Sequence, residues 1–478
     1  MPDRVLRVRT YRWVAPSYQL SEVKGMHTEE SGFKRALEYP LFSAIFNRRT
    51  RRVSKGIASI PAGSLSYTST QSAQPLSPLE EALLIAATGI TGVPMHDTPL
   101  QTETGQDITM TVMLNARGRS ASSPDNAQAT HFFLLNDEGT YLLKQPGDVD
   151  PHEFARSGLT PSRLIDYAAK CKVKVSDKRL DFPREYPCYI GTNRYLSNLP
   201  GSTILVPVVD MTRYYINVML FLMGQVQPGF RSTWIDDWRF YRKAGVGKWE
   251  RNGFLNPNVP PIPLGWMGTF RVHIEADLLI QNLLLSIQAM GLGGWVHAGF
   301  LGPLLLGDPD YTKYGPGLKF RFATPKTTLG RLLLRLVTPL PAWRPNPVGL
   351  DGILEGFCPP YFKDMSAAVD AVVKLKEGPG GIYNQADRDI EGVYKPGLAS
   401  EFLRNVPRDT PDAIACAKDI CNYIFDTYGR FPAHVDAMHV PGVWVQAHHL
   451  DLEYYDKMFV GGYTSTQAEH QRLWHNED

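Results

Sequence analysis

The chain has 478 residues, with 50 basic and 48 acidic side chains, 43% hydrophobic and 21% charged residues. That length exceeds one ordinary core, so two or three lobes are expected, and the near-balanced charge excludes a global polyanion-binding surface such as one for nucleic acid. Five cysteines (171, 188, 358, 416 and 421) form no metal-type spacing and read as reduced thiols of a cytoplasmic protein.

In chain order, residues 1–39 read as an N-terminal arm. "MPDRVLRVRTYRWVAP" alternates Arg with Val, Leu and Tyr and lacks the uninterrupted apolar core of a signal peptide. "FNRRTRRVSKG" (46–56) then packs four arginines around Thr50. In an extended segment Arg48, Thr50 and Arg52 converge on one side, and two guanidinium forks with one hydroxyl suit a phosphate dianion. A solvated basic face is the plain alternative. "SPLEEALLIAATGITG" (77–92) predicts a helix capped by Ser77, with Pro78 in its first turn and Glu80 and Glu81 at the positive end of its dipole. "DITMTVMLN" (107–115) predicts a strand. "RGRSASSPDNAQATHFF" (117–133) gathers hydroxyls and amides in a loop that enters a strand, and "THFFLLNDEGTYLLKQ" (130–145) predicts a hairpin around Asn-Asp-Glu-Gly.

A helix is expected over 161–173, a buried strand over 202–210, and a helix immediately after it. Residues 225–268, rich in Pro, Gly, Trp and Arg, read as a long surface excursion, with "WIDDWRFYRKAGVGKW" as a candidate lid. "IEADLLIQNLLLSIQAMG" (274–291) predicts a long helix, apolar almost all round. Spanning a bilayer takes roughly 18 apolar residues, and neither this stretch nor 216–224 supplies them, so no membrane partner is expected. The chain then turns through Gly291, Gly293, Gly294 and Gly299, which let backbone approach a flat ligand. His297 within that turn reads as structural before substrate-contacting. A Pro-rich linker is expected over 338–348, followed by a mainly helical tail. Six of the twelve histidines lie from 434 onward. His434, Asp436, His439, His448, His449 and Asp451 raise a carboxylate–imidazole metal site, but "HVDAMH" matches no ligand spacing and the flanks look like packing segments, so no metal is assigned.

Three of these stretches, in this order, resemble the FMN-dependent nitroreductase family. "RRTRR" (48–52) is similar to its phosphate-binding Arg-Arg-Ser-x-Arg element, with Thr50 for Ser. "ASSPDNAQ" (121–128) resembles its flavin-touching Pro-Ser-Ser-x-Asn-x-Gln loop, with Ala121 for Pro and one extra residue before Asn126. "MGLGGWVHAGF" (290–300) resembles its helix end and Pro-x-Glu-Gly-Phe loop, with Val296 for Pro and Ala298 for Glu. The 77–92 helix followed by "GRSASSP" looks most like the thiazoline- and oxazoline-oxidising branch. The resemblance covers about 40–145 and 270–302.

What it implies is an α+β fold: a mixed sheet flanked by helices, an FMN-binding domain over 40–337 with an insertion at 225–268, and a C-terminal extension over 338–478. It implies a homodimer with flavin at the interface and helices near 212–226 and 274–291 as the dimer core. The FMN phosphate would be held by the element Arg48, Arg49, Thr50 and Arg52. Within it Arg48 and Arg52 are the direct contacts, and Arg49 and Arg51 turn away. Ser122, Ser123, Asn126 and Gln128 would reach the flavin, and the backbone N–H groups of Ala298 and Gly299 its N5/O4 edge. No catalytic side chain is implied. The reaction would be ping-pong transfer from NAD(P)H to a small organic acceptor such as a nitroaromatic. Alternatives are a flavin-dependent dehydrogenase or oxidase of a peptide or natural product, a redox-inactive flavin-fold scaffold, and a metal-dependent hydrolase built on the C-terminal histidines.

Overall fold

The computed structural model describes residues 28–90, 118–146, 158–224, 231, 247–260, 262–324, 344–384 and 394–476. The strand expected at 107–115, residues 1–27 of the arm and most of 225–246 lie outside the described residues.

The Asn-Asp-Glu-Gly signal produces the hairpin it predicts. Strand β1 (Thr130–Asn136) pairs antiparallel with β2 (Gly139–Leu143), Asn136 facing Gly139. The Asn136 carboxamide oxygen accepts from the N–H groups of Glu138 and Gly139 at 3.0 and 3.1 Å and so closes the turn. Strands β3 (Lys172–Ser176), β4 (Thr203–Asp210), β5 (Gly293–His297), β9 (Met438–His439) and β10 (Trp444–His448) complete a seven-stranded sheet ordered β3-β2-β1-β4-β10-β5, with β9 also on β4. A smaller sheet joins β6 (Arg321–Ala323), β7 (Asn346–Leu350) and β8 (Leu354–Glu355). The α+β class holds. Where a mixed sheet was expected, every described pairing is antiparallel, because neighbouring strands are joined as hairpins or meet from distant segments rather than through βαβ crossovers.

Both faces of the large sheet are covered. Phe132, Leu134, Leu205, Val445 and Ala447 enter one core, and Phe133, Leu135, Ile204, Val206, Val208 and Trp444 enter another, which is the period-2 alternation of strands buried on both sides. The helices used below are α1 (Thr28–Leu37), α2 (Leu41–Asn47), α3 (Pro78–Ile85), α4 (Pro161–Cys171), α5 (Met211–Met223), α6 (Leu264–Met290), α7 (Met365–Glu377), α8 (Pro411–Tyr428) and α9 (His470–Trp474). No described helix is long and apolar enough to cross a membrane.

Four expectations shift. Helix α6 begins ten residues before its predicted start, inside the expected surface excursion, and its 27 residues extend about 40 Å at 1.5 Å per residue. It stops at Gly291, whose φ of 83° is left-handed and whose missing Cβ would lie 2.6 Å from the Thr466 carbonyl oxygen. Helix α5, expected at a dimer core, is enclosed by this chain's own α6, α7 and α8 through Tyr214, Tyr215, Met219 and Met223. The Pro-rich linker ends inside β7, where the buried Asn346 carboxamide oxygen accepts from the Ala437 N–H at 2.8 Å. The tail read as an extension supplies β10, which lies inside the sheet between β4 and β5.

Candidate functional site

The basic segment leaves α2 at Arg48 and runs extended along the end of α6. Arg51 points inward. Its backbone N–H donates to the Gly294 carbonyl at 3.3 Å, its Nε donates to the Gly462 carbonyl at 2.8 Å, and its Nη1 reaches Gln288 Oε1 at 3.4 Å. Burial pushes its guanidinium pKa down. Arg49 folds back on its own helix, donating to the Phe46 and Arg48 carbonyls, both at 2.8 Å. Thr50 and Arg52 are exposed and Arg48 is half-buried. The Arg52 guanidinium lies 5.1 Å from the ring centre of Trp295 on β5. Among the described residues neither Arg48 nor Arg52 pairs with a carboxylate.

Residues 293–297, read from sequence as part of a glycine-rich loop, form strand β5. Its glycines are required by packing: a Cβ on Gly293 would overlap Leu450, and one on Gly294 would lie 2.8 Å from Ile287. His297 is fully buried, with Nδ1 2.7 Å from Ser197 Oγ, its ring stacked on Trp295 and edge-on to Trp444 at 4.4 Å. Burial pushes its imidazole down to about 4, with the Gly299 backbone opposing, so the ring is neutral at neutral pH. Among the described residues, Trp295 Nε1 and Trp444 Nε1 are buried with no hydrogen-bond partner. Ala298 is exposed, and a Cβ on half-buried Gly299 would lie 2.6 Å from Asn193 Nδ2.

The hydroxyl- and amide-rich loop sits elsewhere. Its anchor is Glu275, a fully buried carboxylate midway along α6. Glu275 accepts from the Thr130 N–H at 2.8 Å, from Arg119 at 3.3 Å and from the Ser123 hydroxyl. Asp125 accepts from the Tyr214 hydroxyl at 2.8 Å and pairs with Arg271 at 2.6 Å. Gln128 Nε2 donates to Asn126 Oδ1 at 2.7 Å, and Ser122 is exposed. Asp125, Asn126 and Gln128 have φ of 55°, 47° and 41°, a left-handed conformation that non-glycine residues hold only when surrounding contacts enforce it. Sequence reasoning missed Glu275. The available signal was an acid, Glu275, two residues before Asp277 in the otherwise largely apolar stretch "IEADLLIQNLLL".

The fold therefore brings Arg48, Thr50 and Arg52 beside β5, and places Ser122, Ser123, Asn126 and Gln128 at Glu275. Glu275 and Gln288 are thirteen positions apart on α6, roughly 20 Å at helical rise. The histidine-rich tract also disperses. Asp436 pairs with Arg430, and His439 Nε2 lies 2.7 Å from His273 Nε2. His434 packs edge-on against Tyr428. Asp451 accepts from Tyr67 and Ser69 and caps the following helix. A cavity of about 200 Å³ lined by Asp308, Arg344, Asp436, His439 and Val440 lies beside β9. It is smaller than the roughly 300–1,000 Å³ of ordinary ligand pockets.

No protein-family model and no curated protein matches the chain. Among solved structures it overlaps a protein of Ralstonia eutropha JMP134 provisionally described as a nitroreductase. The identity is 14%, over 55% of this chain and 71% of that chain, with a TM-score of 0.26. An overlap of that degree bears on neither the fold nor the chemistry.

Proposed function

We propose that the chain is an FMN-dependent oxidoreductase of nitroreductase type, working as a homodimer and passing electrons from NAD(P)H to a small organic acceptor. The observation that carries the reading is the arrangement at 48–52. Arg51 is turned inward, which leaves exposed Thr50 and Arg52 and half-buried Arg48 beside β5, two guanidinium groups with no carboxylate partner among the described residues flanking a hydroxyl. That donor set fits a phosphate dianion. Trp295, whose ring lies 5.1 Å from Arg52, keeps a buried Nε1 with no partner among the described residues.

When bound, FMN supplies the two-electron exchange between nicotinamide and acceptor. The chain's own residues bind and orient it: Arg48, Thr50 and Arg52 hold the phosphate, and the backbone N–H groups of exposed Ala298 and half-buried Gly299 donate to the ring. Asn126 and Gln128 stand roughly 20 Å away along α6, so in this reading the loop serves the flavin of a second copy. The exposed aromatics Phe42 and Phe46 on α2 and Trp266 and Phe270 on α6 are candidates for the self-association face that would bring it there.

Titration of FMN and riboflavin by flavin fluorescence tests the reading. Each charge-assisted hydrogen bond is worth about 1.5–3 kcal/mol. Arg48→Ala with Arg52→Ala should therefore weaken FMN by about two to four decades, leaving riboflavin unchanged and Arg49→Ala near wild type. A colourless wild-type chain that takes up no FMN, or an FMN affinity indifferent to both arginines, removes it.

A further inference from the structure

Four side chains meet outside the 48–52 segment, at a point where the Lys55 N–H donates to the His449 carbonyl at 3.0 Å. Glu80 stands in the first turn of α3, where its carboxylate accepts from the Ser77 N–H at 2.7 Å. His449 follows β10 directly, His470 opens α9, and His475 closes it. His475 and Glu80 are 395 positions apart in sequence. His470 Nε2 lies 2.9 Å and His475 Nε2 3.3 Å from Glu80 Oε1, and His449 Nε2 lies 3.6 Å from Glu80 Oε2. His449 Nδ1 is 3.1 Å from His470 Nε2. The four ligand atoms lie within 4.8 Å of one another, and Glu80, His449 and His470 are buried.

The hydrogen bonds behind this cluster fix which nitrogens face it. His470 Nδ1 is 2.8 Å from the Met290 carbonyl oxygen, and His449 Nε2 is 3.2 Å from the Pro75 carbonyl oxygen. A carbonyl only accepts, so each of these nitrogens carries its ring's hydrogen in the neutral form. The other two nitrogens, His470 Nε2 and His449 Nδ1, then direct lone pairs at each other across 3.1 Å, beside a carboxylate with no solvent exposure. The Gln471 amide, 3.2 Å from His449 Nδ1, is the neutral donor at hand there and serves one of them. Lone pairs of two imidazoles and a carboxylate converging in a buried space, with His475 Nε2 beside them, call for a cation. Histidine ligands whose far nitrogen is tied to a backbone carbonyl are the usual second shell of a metal centre. Tetrahedral zinc at roughly 2.0–2.1 Å from nitrogen or oxygen sets ligand atoms about 3.3 Å apart, close to the 2.9, 3.1 and 3.3 Å of three of the pairs here.

We propose that Glu80, His449, His470 and His475 bind one divalent transition-metal ion, of zinc type, that clasps α9 and the end of β10 to the start of α3. Four protein ligands close the coordination shell, which makes the centre structural rather than hydrolytic. Imidazole and carboxylate donors suit zinc and its neighbours and not calcium or magnesium.

The test uses the purified full chain. Elemental analysis should find about one zinc per chain. Chelator treatment should lower the melting temperature, zinc should restore it, and cobalt(II) added to the stripped protein should give the visible bands of a tetrahedral site. Second-shell partners carry roughly 10–100-fold in affinity, so the rim variant His475→Gln and the buried variant His470→Gln should each lose more than that. Both should bind FMN or fail to bind it as wild type does, which separates this centre from the flavin reading. A folded wild-type chain that neither contains nor takes up metal overturns the proposal and leaves a shared proton in the cluster. Unchanged affinity in a folded His475→Gln overturns it equally.

Discussion

At the residue scale, His297 shows how burial converts a titratable group into a pH liability. Its imidazole is held neutral, pushed down to about 4, while the unfolded chain takes a proton near 6.5. The unfolded state therefore binds more protons between those values. The stability contributed by the neutral ring is complete above about pH 6.5 and is lost as pH falls towards 4. His434, pushed by burial down to about 3, acts in the same direction. Urea unfolding at pH 7.5, 6, 5 and 4.5 should show falling stability. His297→Asn keeps a polar group near Ser197 and should reduce the slope by up to about 1.4 kcal/mol per pH unit. Parallel profiles for wild type and variant would sink this account. Arg51 makes the complementary point. It has the same residue type as its outward neighbours, yet its guanidinium holds the Gly462 carbonyl, and only the inward half of the alternation assigns that role.

At the scale of elements, α6 does different jobs along its length. Glu275 midway along it and Gln288 near its end hold the 118–130 loop and the 48–52 segment respectively. Near its start Trp266 is 67% and Phe270 62% exposed, and α2 carries Phe42 at 68% and Phe46 at 67%, stacked 5.9 Å apart. Exposed large aromatic side chains in pairs on two helices are candidates for an association surface. The wild-type chain should sediment as a dimer at micromolar concentration, and Phe42→Asp combined with Phe270→Asp should give a folded monomer. A monomeric wild type, or a double variant that stays dimeric, would remove α2 and α6 from the interface. The sequence showed that α6 is apolar almost all round, but not which stripe the chain covers itself. That depended on α5 being enclosed by α7 and α8.

At the scale of the whole molecule, the tail is part of the central architecture. Strand β10 pairs with β4 on one side and β5 on the other, and Gln446, fully buried on it, accepts from the Asn198 N–H at 2.8 Å and donates to the Leu196 carbonyl at 3.1 Å. Ending the chain after Ala437 would leave β4 and β5 with unpaired backbone inside the fold, each buried group costing about 1–3 kcal/mol. Such a truncation should be insoluble or lack a cooperative melt. A soluble 1–437 fragment with a sharp transition and wild-type circular dichroism would show that β10 is dispensable.

The sequence alone determined what nearest neighbours decide. The 136–139 turn, the Ser77 cap of α3, the buried run of β4 and the glycine stop of α6 arise from interactions within a few residues, so their signals stand in the local pattern. It also marked 48–52 as an alternating basic segment, and the structure places Arg51 inward and Arg52 outward. Only the tertiary structure decided that β10 enters the middle of the sheet, that Glu275 anchors the 118–130 loop, and that Glu80 meets His449, His470 and His475. The physical reason is that a strand or a polar side chain carries in its own sequence the requirement to be paired but not the identity of its partner. Across hundreds of residues that identity is set by which surfaces the fold brings together.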